Sequence, residues 1–328
     1  MRCRSRFAVA AIVVLVAVPI LAAPVAAGDP VRSEHERVVS YWTEARMKAA
    51  RPREMVLDRA GQLVPEPLVA NSSGLSWPTA GTNQGGAITK LSGRVYFNLG
   101  TGMYVCSGSV VTDSNAGISL VLTAGHCVYD HATGWATNWV FVPQADGLPV
   151  VPSCDTSPRG CWTAQALVAH SRFTTAGGFT GTAARYDYAF AVVGQGGKPG
   201  QAQEQLDAAG SLPIAYSGVA KGNLLYAFGY PAAAPYDGTD LVYCSGKIGQ
   251  DLFNANATWS MVCNMTGGAS GGPWLKGFSE STGLGTLASL NSYRYSFSNR
   301  MYGPKFSSYT QAVFTYANGG PTVNYAVP

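Results

Sequence analysis

Three short segments of this 328-residue chain carry side chains that could cooperate in acyl transfer. In Leu122-Thr123-Ala124-Gly125-His126-Cys127 a histidine follows an apolar run, on a turn containing glycine that holds it firmly and leaves it accessible. Its near-neutral pKa suits general-base work. In Tyr186-Asp187-Tyr188-Ala189-Phe190-Ala191-Val192-Val193 a single carboxylate opens a strongly apolar strand. Such a carboxylate is costly unless it pairs, and a histidine ring N–H is its natural partner. In Thr266-Gly267-Gly268-Ala269-Ser270-Gly271-Gly272-Pro273 glycines flank a serine on both sides. They let the backbone turn sharply and come close to a substrate. The N–H groups of Gly268 and Ser270 could then converge on a developing oxyanion. Singly, each segment has a plainer reading: a structural histidine, a capping aspartate, a glycine-rich loop. Together they supply a base, an orienting acid and a nucleophile.

The elements that must position these groups read as all-β. Thirty-nine glycines and 19 prolines punctuate short apolar runs. Runs at 94–98, 103–111, 119–122, 139–142, 164–170, 188–193, 224–230, 241–244, 258–263, 273–275 and 286–290 have strand character. About a dozen strands at this spacing suit a barrel or sandwich. Residues 307–316 are the best helix candidate of the body.

Composition bounds the rest. The chain is 47% hydrophobic and 12% charged, which is globular, and its net charge of +4 is no footprint of nucleic-acid binding. Arg2, Arg4 and Arg6 precede an apolar run over 7–23, and Val25-Ala26-Ala27 offers the small residues a signal peptidase needs. Residues 1–27 are therefore predicted to be a signal peptide, and the protein to be secreted. An uncleaved anchor is the alternative, made poor by Pro19 and Pro24. Over 29–59, thirteen of thirty-one residues are charged, and Val38, Val39, Tyr41, Trp42 and Ala45 suggest a short amphipathic helix. Over 78–328 only 23 of 251 residues are charged. This contrast predicts a pro-segment and linker over 28–77 ahead of a body at 78–328, the alternative being an appendage that stays attached. Of seven cysteines Cys3 leaves with the signal, and the remaining six allow fifteen disulfide pairings. No C-x-x-C pair occurs, and neither a metal nor an organic cofactor is expected. His35, His131 and His170 are expected to have no catalytic role.

The order His…Asp…Ser, with these flanks, is that of the chymotrypsin class. The body resembles trypsin-like peptidases, in particular the bacterial branch that contains the glutamyl endopeptidases. Supporting marks are Cys106-Ser107-Gly108-Ser109, Phe228-Gly229-Tyr230-Pro231 and the glycine-flanked serine. The resemblance covers roughly residues 91–316. It implies two packed six-stranded antiparallel β-barrels with the site between them, a short C-terminal helix, protein or peptide substrates, and roles for the matching positions. His126 is the base, Asp187 its orienter, Ser270 the nucleophile, and Gly268 and Ser270 the oxyanion hole. It also implies a Cys106–Cys127 disulfide. Cys154 and Cys161 enclose a short loop that is easily closed, and Cys244 and Cys263 then pair by elimination. A monomer without nucleic-acid or, after signal cleavage, membrane partners is expected.

Two other classes compete with this reading: a peptidase-fold binding protein that has lost activity, and a secreted esterase. The first typically lacks a triad member; the second would place a helix after the serine, which Gly271-Gly272-Pro273 cannot open. Trypsin-like zymogens carry an aspartate just before the nucleophile to capture a new N-terminal amine. Ala269 stands there, so activation is expected not to use an ion pair at this position. For specificity, glutamyl endopeptidases place a histidine on the strand after the nucleophile. The resemblance sets Ala288 at that place and Ser289 against the triad aspartate, with Asn264, Met265 and Thr266 on the opposite wall. No charge lies on either wall, which predicts a preference for neutral residues before the cleaved bond.

Overall fold

In the computed structural model the described residues are 33–65, 75–77, 85–147 and 153–328. The predicted signal peptide and parts of the linker lie outside them. From residue 92 onward, apolar runs broken by glycine turns form the strands of the first half. These are β1 (Ser92–Leu99), β2 (Gly102–Val111), β3 (Ser119–Thr123), β4 (Thr137–Pro143), β5 (Trp162–His170) and β6 (Ala189–Val193). They pair antiparallel in the order β2-β1-β4-β5-β6-β3, and β3 returns to β2. The ring is a closed six-stranded barrel, which leaves none of these strands as an edge. Phe97, Val110, Val121, Phe141 and Phe190 are fully buried within its core.

The second half contains β7 (Leu224–Gly229), β8 (Val242–Lys247), β9 (Thr258–Val262), β10 (Pro273–Ser279), β11 (Leu284–Leu290), β12 (Tyr293–Tyr295) and β13 (Arg300–Pro304). Its strands hydrogen-bond as two sheets, β11-β10-β7-β8 and β9-β13-β12. The sheets meet where β8 approaches β9 and β11 approaches β13. Register shifts between β10 and β11 bend that hairpin. Cys244–Cys263 joins β8 to the end of β9, and Cys106–Cys127 and Cys154–Cys161 are the other two disulfides.

The C-terminal helix spans Ser308–Asn318, starting one residue later and ending two later than expected. Ser307 caps it, and a reciprocal bond from its backbone to Thr310 completes a capping box. It packs on β5 and β6 of the first barrel and buries Val313 and Ala317.

The charged leader forms two helices, Glu34–Tyr41 and Glu44–Ala49, rather than one. Thr43 accepts a hydrogen bond from the Arg46 N–H, so a new N-terminus begins where the expected helix would have continued. Val38, Trp42 and Met47 are buried, with the Trp42 ring against Tyr96 of β1. The chain then runs as Arg51–Pro52, parallel to β2, and Val56–Leu57, parallel to β12. Farther on, Leu75–Ser76 pairs antiparallel with β8, and the Trp77 ring packs edge-on against Phe228, Tyr243 and Phe278.

Candidate active site

β3 ends at Thr123, and a single 3-10 turn, Gly125–Cys127, presents His126. The Cys106–Cys127 disulfide fastens this turn to β2. Asp187 sits just ahead of β6, which is the antiparallel neighbour of β3, so strand pairing brings the two residues together. Asp187 is completely buried and accepts from the His126 backbone N–H at 2.8 Å through Oδ1. Its Oδ2 lies 2.8 Å from His126 Nδ1 and receives the Ser292 hydroxyl at 2.5 Å. An ionised carboxylate in this place fixes the proton on Nδ1 and leaves Nε2 as the acceptor. Nε2 has no hydrogen-bond partner among the described residues.

The serine loop is held from both halves. Gly268 and Gly271 have φ of +96° and +82°, a region that L side chains avoid. A Cβ on Gly271 would lie 2.3 Å from Thr123 Oγ1 and 2.4 Å from the Ser107 carbonyl oxygen. The Ser107 hydroxyl donates to the Gly268 carbonyl, and the Ser107 N–H to the carbonyl of Ser270. Asn291 braces the loop from the other side. Its amide donates to Phe228 O and Ala269 O, its carbonyl accepts from Trp274 Nε1, and its backbone bonds Gly271 and Gly272.

The Ser270 hydroxyl donates to the carbonyl oxygen of Arg53 at 3.1 Å, and not to His126. The Gly268 N–H points at the same oxygen, 3.3 Å away. The leader thus lies across the site. Arg53 N–H donates to Val105 O of β2, Arg294 N–H to Met55 O and Ser296 N–H to Leu57 O. The Arg53 guanidinium pairs with Asp130 at 2.7 Å. Arg53, Met55 and Leu63 of the leader, with His126, Tyr129 and Phe179, help enclose a cavity of about 290 Å³.

The strand assigned to the cleft wall from sequence requires correction. Ser292, not Ser289, bonds Asp187, while the Ser289 hydroxyl donates to Pro304 O. Ala288 and Met265 are fully buried in the core of the second half, and Asn264 and Thr266 are nearly so. The wall strand beside the site is β12, whose Arg294 is ion-paired to Glu54 at 2.5 Å, so a full charge does lie there. The physical reason is the bent β10–β11 hairpin and the break at Asn291, which shift the facing residue by three positions. Behind β12, Asp251 receives the hydroxyls of Tyr293 and Tyr295. Burial, followed by the Asp251 charge, pushes the Tyr293 hydroxyl well above its ordinary pKa, so it stays a donor.

The other histidines serve packing. His35 bonds Thr163 Oγ1, His131 Nε2 bonds Phe173 O, and His170 Nδ1 accepts from Arg172 N–H. Cys106, His126 and Cys127 cluster within ligand distance, but both sulfurs are in one disulfide.

A closed antiparallel barrel, a second β half and a glycine-flanked serine at their junction define the chymotrypsin-like class of serine peptidases. Residues 106–283, more than half of the chain, match the trypsin-like peptidase domain. Anisep, a protease from Arthrobacter nicotinovorans, is 39% identical with a TM-score of 0.59, over 70% of this chain and 96% of that one. AL20, a thermostable serine protease from an extremophilic microorganism, is 34% identical with a TM-score of 0.59, over 72% of this chain and all (100%) of that one. A Glu endopeptidase structure, 17% identical with a TM-score of 0.55 over 77% and 100% of the two chains, shares the fold. No curated protein matches the chain. The chain belongs to the trypsin-like peptidase family and is a serine endopeptidase.

Proposed function

We propose that this endopeptidase is exported by residues 1–27, matures by losing its leader, and cuts peptide bonds through Ser270, His126 and Asp187. The observation that carries the reading is the Arg53 carbonyl, which meets both the Ser270 hydroxyl and the Gly268 N–H. A peptide carbonyl at that place is poised for attack by Ser270 Oγ, with Gly268 and Ser270 N–H groups available to the oxyanion. His126 Nε2 takes the serine proton and returns it to the leaving amine. Asp187 holds the Nδ1 proton and stabilises the imidazolium. Water, activated by His126, then hydrolyses the acyl-enzyme.

The leader serves as a pro-segment that covers the cleft. Strand Leu75–Ser76 and Trp77 pack into the second half, which favours a maturation cut after Leu57 and before Leu75, ahead of the boundary at residue 77. The two close solved structures match this chain over 70% and 72% of its length, which leaves room for such a leader. With Ala269 before the nucleophile, activation needs no ion pair there. Three disulfides support export of the mature protein.

Alanine variants of the leader-free enzyme test the assignment. Ser270→Ala and His126→Ala should each lower kcat by about a million-fold and Asp187→Ala by about ten-thousand-fold. Circular dichroism should report an unchanged fold. A folded Ser270→Ala protein retaining more than about one per cent of activity, far above the loss expected for a nucleophile, would overturn the assignment.

A further inference from the structure

The leader crosses the cleft in a direction that a cut peptide cannot share. Arg51–Pro52 pairs parallel with β2, and Val56–Leu57 pairs parallel with β12. Between them Arg53 donates its N–H to Val105 O at 3.0 Å, and Met55 O accepts from Arg294 N–H at 3.0 Å. The strand therefore enters over the first barrel and leaves along the second half. Glu54 already lies on the second half. A Cβ on Gly267 would stand 3.2 Å from Glu54 Cβ, and Glu54 Oε1 meets Arg294 Nε at 2.5 Å.

The proton path sets the course of a peptide that is cut. His126 Nε2 must hand its proton to the nitrogen that leaves. His126 adjoins Cys127, which its disulfide to Cys106 joins to β2 one residue from Val105. The residues after the cut therefore leave over β2, and those before it stay with Ser270 over β12. In the leader these halves are exchanged. The Arg53 carbonyl fills the place of the attacked group, but Glu54, which would supply the leaving nitrogen, lies against Gly267 and Arg294. His126 Nε2 has no hydrogen-bond partner among the described residues. The Ser270 hydroxyl donates to the Arg53 oxygen instead of to His126, which is a holding contact and not an attack.

Resting on the peptidase reading above, we propose that the cleft has a second, non-productive mode for extended peptide, running opposite to a substrate. The leader binds in this mode, as an inhibitor that the enzyme does not cut between Arg53 and Glu54. Main-chain hydrogen bonds to both halves give it affinity, as in recognition by strand addition. General-acid help to the leaving nitrogen is lost, and with it a factor of about a hundred to ten thousand in rate. The reversed strand keeps the carbonyl contact of a substrate and withholds the leaving group from His126.

Cysteine pairs in the full chain read the direction. Pro52→Cys with Val105→Cys, and Leu57→Cys with Tyr295→Cys, should each form a disulfide, since these residues are register partners. The exchanged pairs, Pro52→Cys with Tyr295→Cys and Leu57→Cys with Val105→Cys, should not. Cutting is read with the mature enzyme and a peptide of residues 33–65. Inhibition should be competitive and should not fade with time. Mass spectrometry should find the Arg53–Glu54 bond cut at least about a hundred-fold more slowly than the favoured bond of an unstructured protein. Rapid cutting at Arg53–Glu54, absence of inhibition, or disulfides in the exchanged pairs would overturn the proposal. Failure of the mature enzyme to hydrolyse the unstructured protein would overturn the peptidase reading instead, while the cysteine pairs still decide the direction.

Discussion

Asp187 accepts three hydrogen bonds, and the one from Ser292 is the only one of the three that does not come from His126. That hydroxyl stabilises the ionised carboxylate and fixes its orientation toward the imidazole. Ser292→Ala should therefore lower kcat by about tenfold, one charge-assisted hydrogen bond, with little change in KM. Steady-state kinetics on an uncharged peptide reads both constants. The proposed catalytic residues His126, Asp187 and Ser270 could be singled out in the sequence because each lies in a local motif whose flanks have a mechanical reason. Ser292, Asn291 and Arg294 were not, because what they face is decided by hairpin bending and strand register, not by their neighbours in sequence. A serine two or three residues off in register is indistinguishable on the page, as Ser289 and Ser292 are.

At the level of elements, β5 ends on His170, a completely buried histidine whose ring packs against Tyr186 and Tyr309. Burial, reinforced by the nearby Arg172 charge, lowers its pKa from 6.5 to about 4. The unfolded chain therefore binds this proton more readily than the folded one. The neutral ring's contribution to stability is complete above about pH 6.5 and is lost as the pH falls from there toward about 4. Chemical denaturation across this window should give a steeper loss of stability for the unsubstituted protein than for His170→Gln. The Cys244–Cys263 disulfide ties the two sheets of the second half together. Its removal by paired alanines should cost about 2–4 kcal/mol, lowering Tm by about 5–12 °C in calorimetry. The strands of both halves were legible from alternating apolar runs and glycine turns. The split of the leader into two helices was less so, because Thr43 reads equally well as a helix interior residue or as a cap.

Across the whole molecule, the leader connects the outside of the first barrel to the cleft and then to β12. Its helices bury Val38, Trp42 and Met47 on the barrel, so the cleft segment is tethered rather than held by its own contacts alone. A peptide of residues 33–65 added to leader-free enzyme should inhibit it, and Glu54→Gln should weaken that inhibition about tenfold or more. Loss of peptide affinity on Trp42→Ala would show the tether separately. The N-terminus of the mature protein should precede Leu75, because Trp77 packs in the aromatic cluster of the second half. The charge contrast between leader and body was legible in composition. Where the leader lies was not, because no local pattern in 51–57 distinguishes a strand laid in a cleft from an exposed linker.

The central claim is that Ser270 is the activated nucleophile once the cleft is clear. Leader-free enzyme treated with a serine-reactive phosphonate, digested and read by mass spectrometry tests it directly. The account predicts one stoichiometric adduct on Ser270, formed in step with loss of hydrolysis of an unstructured protein and absent in His126→Ala. Full hydrolytic activity with Ser270 unmodified, or an adduct on another residue accompanying its loss, would contradict it.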